Sequence, residues 1–238
     1  MLYLDYPDIL IQYKNMKFMG KLAHFSVLFS LVVLCTAFTA CASSAEKQEI
    51  DVFTVDLKSR QITISEIELQ FDPAMGIGKI KKGNAAVIYF PQEDAVCLQF
   101  RQDFFTFHQF WNREGRIAFI EALEKYNDDF EARNLNSKNR RSKRSYNTVQ
   151  GYLTWQQFNF SVLARGNMDV ELGYVFKDRA PYFTVNQREA EYIDENYRDN
   201  NRTSATMTLY FTRAQAAELA ALFEQHFLNE LVSPGANN

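Results

Sequence analysis

Residue types able to do chemistry are thinly spread along this 238-residue chain. His108 and His226 stand more than a hundred residues apart, and neither has carboxylates or thiols at ligand spacing, so no recognised zinc pattern is written here. His108 lies among Phe105, Phe107 and Phe110, the setting of a packed, hydrogen-bonded imidazole. His226 follows Glu224 near the end of a C-terminal helical pattern, where a partly charged ring suits the negative helix terminus. No Gly-x-Ser-x-Gly nucleophile turn occurs. Gly76-Ile77-Gly78-Lys79 has glycines and a cation but lacks the Gly-Lys-Ser/Thr of a phosphate loop, and reads as a turn. The acidic pairs Glu93-Asp94, Asp128-Asp129 and Asp194-Glu195 fall on expected turns and helix surfaces, where neighbouring carboxylates solvate the chain. Neither a cofactor nor a metal is expected, and catalysis is the less favoured reading.

Of the three cysteines, Cys41 has the most informative neighbours. Lys14, Lys17 and Lys21 precede an uncharged stretch from Leu22 to Ala40, with an apolar centre from Phe25 to Leu34 and small residues Thr36, Ala37, Thr39 and Ala40 at its end. This is the layout of an export signal. Met16 opens a more compact version of it, so the true start lies at Met1 or Met16. Phe38-Thr39-Ala40-Cys41 resembles the lipobox of bacterial lipoproteins, with Phe38 in place of the usual leucine. The resemblance implies cleavage before Cys41, acylation of that cysteine with palmitate-like chains, and attachment to a membrane of the bacterial cell envelope. Ala42 in place of an acidic residue favours the outer membrane over the inner. Two other readings stay open: the 19 uncharged residues before Cys41 approach the length that crosses a bilayer, and the signal could be cleaved without lipidation. Cys97, left alone in the body between Val96 and Leu98, reads as a buried small hydrophobe.

The segments that must position any site follow from periodicity. Residues 1–40 form the signal and 41–50 a small, polar tether. In 51–133, alternation marks strands at Gln61 to Ile64, Ile67 to Phe71, Ala85 to Phe90 and Ala95 to Phe100, with turn chemistry in Pro91 to Asp94. Phe104 to Trp111 is aromatic and ambiguous between strand and helix. Asn112 is an N-cap candidate for a helix over Arg113 to Ala132, with Ile117, Ile120, Leu123, Tyr126 and Phe130 facing the core. Residues 134–147, basic and polar, read as a linker. In 148–238, strands are expected at Tyr152 to Trp155, Phe158 to Ala164, Val170 to Phe176, Tyr182 to Val185 and Thr206 to Phe211, with turns at Gly166-Asn167 and Lys177 to Pro181. Thr212 and Gln215 form a capping box before a last helix running to Leu231.

The expected fold class is therefore α+β: antiparallel β-sheet with two covering helices, arranged as two units of about four strands plus one helix. The sequence holds 21 Phe, 12 Tyr and 2 Trp. Phe104, Phe105, Phe107, Phe110 and Trp111 exceed what one face can bury, which makes them candidates to line a ligand pocket or partner surface. The formal charge of −3 gives no case for nucleic acid as a partner. The functional expectation is a lipid-anchored envelope protein that binds an unidentified protein or an apolar small molecule. The alternatives are a carrier of an apolar ligand in a Phe-rich pocket and an envelope hydrolase assembled from distant segments.

Overall fold

The computed structural model describes residues 53–72, 80–138, 145–157, 163–190, 204 and 206–233, all within a compact unit from Val52 to Asn238. Eight strands form one closed barrel: β1 (Ile62–Phe71), β2 (Lys81–Phe90), β3 (Ala95–Gln102), β4 (Phe105–Trp111), β5 (Ser145–Gln157), β6 (Ala164–Lys177), β7 (Ala180–Gln187) and β8 (Met207–Phe211). Each pairs antiparallel with its neighbours in sequence. β8 closes the ring on β1 through Gln70↔Tyr210 and Phe71↔Leu209.

Period-2 alternation builds this wall. Ile67, Leu69 and Phe71 are buried while the flanking Glu66 and the intervening Glu68 are exposed; Gln70, next to the closing strand, is itself buried. The same phase puts Val87 and Tyr89 on β2, Val96 and Leu98 on β3, Val170 and Leu172 on β6, and Val185 on β7 into one core cluster. Fully burying such a side chain contributes roughly 1.5–3 kcal/mol. A barrel of eight strands is just wide enough for side chains to fill.

Strand alternation also leaves an outward apolar set on β2 to β5, comprising Ile88, Phe90, Ala95, Cys97, Phe110 and Tyr152. Phe53, Val55 and Leu57, ahead of β1, cover it. Burial there raises the Cys97 thiol well above its usual pKa, as suits an inert, packed cysteine.

Two strands running the same way, β4 and β8, each lead through a cap into a helix, so both helices start at the same barrel end. Asn112 Oδ1 accepts from Gly115 N at 2.8 Å to begin α1 (Arg113–Glu131). Thr212 and Gln215 complete the capping box of α2 (Arg213–Phe223). Glu224 is extended, at φ −60° and ψ 128°, and separates α2 from α3 (Gln225–Val232). Phe119 of α1 meets Trp111 at 5.8 Å, Phe183 at 5.3 Å and Phe223 at 5.1 Å between ring centroids, so the helices plug this end with aromatic contacts.

The expected α+β class is thereby corrected. In place of sheets with two covering helices in two units, strands from both halves share one closed barrel, with three helices among the described residues. The stretch read as a linker, 134–147, ends inside β5, whose first residues are 145–147, and β5 pairs directly with β4. Sequence alternation shows which face of a strand is apolar, but not that the first and last strands meet. Smaller corrections follow the same physics. Phe104 to Trp111 resolves as strand from Phe105 onward. The segments around Thr63 and Ile67 are one strand with a bulge between Thr63 and Ser65. Gly166-Asn167 lies inside β6 instead of forming a turn. The core face of α1 is Ala118, Phe119, Ala122, Leu123 and Tyr126, leaving Ile117 and Phe130 exposed. Expectations for the signal, Cys41, the tether, Gly76-Ile77-Gly78-Lys79 and residues 139–144, 158–162 and 191–203 lie outside the described residues.

Candidate functional site

The outer face of β2, β3 and β4, in the half away from the helices, gathers polar side chains by strand register. Alternation sends Asn84 and Ala86, Gln99 and Arg101, and Thr106 and His108 outward. The pairs Ala86↔Gln99, Gln99↔His108 and Arg101↔Thr106 place them side by side. Asn84, Ala86, Gln99, Phe100, Arg101 and Thr106 line a depression of about 280 Å³. Asn84 Nδ2 donates to Glu66 Oε1 at 2.7 Å, fixing the amide on that rim.

His108 stands beside Gln99 and shares a 3.2 Å hydrogen bond between its Nδ1 and Thr154 Oγ1. Burial lowers its pKa, so the ring is neutral at pH 7. This is the packed, bonded histidine that its aromatic neighbours imply. His226, by contrast, is exposed and sits 3.3 Å from Glu230 on α3. Among the described residues no three His, Cys, Asp or Glu side chains are grouped to hold a metal ion.

Above the depression, Asp103 and Phe104 make the turn between β3 and β4. Asp103 takes φ 51°, a left-handed conformation that aspartate tolerates better than most side chains. Its carboxylate accepts from Lys81 Nζ at 2.8 Å. Gln102 Nε2 donates to the Asp72 carbonyl at 2.9 Å, which ties the hairpin base to the end of β1. On this pinned turn Phe104 is 71% exposed and Phe105 36%. Phe105 leans on Phe107 at 5.9 Å, and Phe107 stacks on Phe100 at 5.6 Å. An aromatic line therefore runs from solvent into the barrel.

The five aromatic candidates are not brought into one pocket. Phe104 and Phe105 project at the turn, Phe107 and Trp111 face the lumen, and Phe110 faces outward beneath the covering segment, 5.5 Å from Phe90 and 5.6 Å from Tyr152. Alternate residues on a strand point to opposite faces, so a run of aromatics divides. Sequence reasoning missed Asn84, Gln99, Arg101 and Thr106. Polar residues at outward positions of the β2, β3 and β4 alternation were the available signal. Amide, hydroxyl and guanidinium groups beneath exposed rings suit peptide-like or other polar groups with an apolar neighbour.

The family described as "Uncharacterised Treponema protein" matches residues 25–230. An uncharacterised protein of Treponema pallidum (strain Nichols) is 28% identical over 101 residues, which is 42% of this chain and 36% of that protein, so the matched segment spans about a third of its relative. No solved structure matches. Because the family match extends over most of the chain, this protein belongs to the uncharacterised Treponema protein family.

Proposed function

We propose that the chain is a lipid-tethered binding module of the cell envelope, without catalysis, that engages a protein partner through the β3–β4 turn and the depression below it. The observation that carries this reading is the exposure of Phe104 and Phe105 on a turn pinned by Lys81–Asp103 and Gln102. Phe104, held out in water by a fixed backbone with the partly exposed Phe105 beside it, is an anchor residue awaiting a pocket, because little further order must be imposed when it binds. Arg101 and Gln99 supply the polar surround typical of such anchors.

The export signal and the lipobox-like Phe38-Thr39-Ala40-Cys41 support the tether. The eleven residues between Cys41 and Phe53, at up to about 3.5 Å each, hold the barrel within about 40 Å of the bilayer, with outer membrane favoured. Two or more acyl chains are needed for stable retention, since one alone binds only marginally.

The test compares the full chain with C41S and with F104S/F105S in membranes of the native host. The wild type should enter the detergent phase and run on native gels as a complex larger than the chain alone. C41S should move to the aqueous phase. F104S/F105S should stay with detergent but run at the size of the free chain. A wild type that partitions into water contradicts the tether, and a complex that survives the double change contradicts the binding face.

A further inference from the structure

Two glutamines face the inside of the barrel with no hydrogen-bond partner among the described residues. Gln109 pairs in register with Leu98 and Leu153, and Gln187 with Val170 and Met207. All four partners belong to the apolar core cluster, and directly opposite residues share a face of the sheet. Both glutamines are 0% exposed. Among the described residues the amide nitrogen and oxygen of each lack a hydrogen-bond partner. Buried amides are ordinarily satisfied, and one left unpaired signals a missing partner.

The two amides also share a level. From Gln109 the register crosses to Leu153 on β5, slips to Gly151, crosses to Met168 on β6, slips to Val170, and crosses to Gln187 on β7. Three strand spacings of about 4.7 Å against four residues of about 3.3 Å, at a tilt of about 40°, place both glutamines within roughly 2 Å of one height. Between them Gly151 has no side chain, and its place is taken by Met168 Cε and Val170 Cγ2, 3.3 and 3.1 Å from where a Cβ would stand. Methionine is the side chain best able to repack around an incoming molecule. Met168 lies on this path and Met207 directly beside Gln187.

We propose that this level of the lumen binds a small uncharged amphiphile, with a hydroxyl or amide head bonded by Gln109 and Gln187 and an apolar body displacing Met168 and Met207. The head is uncharged because the register partners Leu98, Leu153, Val170 and Met207 carry no charge to offset a desolvated ion. The amides supply donor and acceptor together, as a hydroxyl or amide requires. The site lies on the opposite face of the wall from the proposed binding surface and does not depend on it.

The test uses the purified full chain in detergent-free buffer, with N-phenyl-1-naphthylamine as fluorescent probe and 1-octanol or octane as competitor. The wild type should bind the probe saturably, and octanol should displace it more effectively than octane. Gln109→Leu and Gln187→Leu should each weaken octanol about tenfold and leave octane unchanged, with circular dichroism confirming the barrel. Should a leucine variant not fold, the unbranched Gln109→Met and Gln187→Met serve in its place. Failure of saturable probe binding, or equal octanol affinity in wild type and folded variants, overturns the proposal and assigns the amides to ordered internal water.

Discussion

The turns at the two ends of β3 share a backbone device but differ in everything around it. Asp94 enters β3 at φ 46° and Asp103 leaves it at φ 51°. Asp94 is locked to the helical plug: Arg116, 1% exposed on α1, donates to Asp94 Oδ1 at 2.8 Å, to the Asp94 carbonyl at 2.5 Å and to Gln225 Oε1 of α3 at 2.6 Å. Asp103 has a surface pair with Lys81, and the next residue is the exposed Phe104. One end of the strand is committed to stability. The other is held in shape while Phe104 stays in solvent, which is the division expected if the proposed binding face is the working end.

The largest effect expected from breaking this contrast comes from the plug. Arg116→Ala should lower unfolding free energy by about 3 kcal/mol in urea titrations, since it strips partners from a carboxylate, carbonyls and an amide at once. Next comes one substitution made at both turns. Asp94→Gly relieves the positive φ but leaves the buried guanidinium short of an acceptor, and should cost about 2 kcal/mol. Asp103→Gly loses only a surface pair and should stay within about 0.5 kcal/mol of wild type.

A smaller effect is set by pH. Burial lowers the His108 pKa from 6.5, so the folded ring stays neutral while the unfolded chain takes up a proton. Its influence on stability is absent above 6.5, and stability is lost as pH falls through that value toward the folded pKa. His108→Gln should flatten the decline in denaturant midpoint across this window. Smallest of all, Phe104→Ser should change the unfolding free energy by no more than about 0.5 kcal/mol. A larger loss would mean that the ring is part of the core.

The local elements were legible because each has a short-range cause. Asn112 and Thr212 cap helices through contacts three residues away, and Pro91 to Asp94 turns the chain where expected. Closure was not legible, because the pairing of Phe71 with Leu209 joins residues at opposite ends of the described chain and leaves no periodic trace in either. Phe104 was legible as a candidate, but its separation from Phe110 required settling strand against helix. The inward glutamines escaped notice for a related reason. Polar residues at positions 109 and 187 carry meaning only once their neighbours are known to enclose a lumen.

Site-specific photo-crosslinking in cells of the native host tests the division between the two ends most directly. A benzoyl-phenylalanine at position 104 should yield one discrete adduct, and the same group at Glu114, on the helical end, should yield none. Matching adducts from both positions, or none from position 104, would contradict the assignment of the β3–β4 turn as the working end.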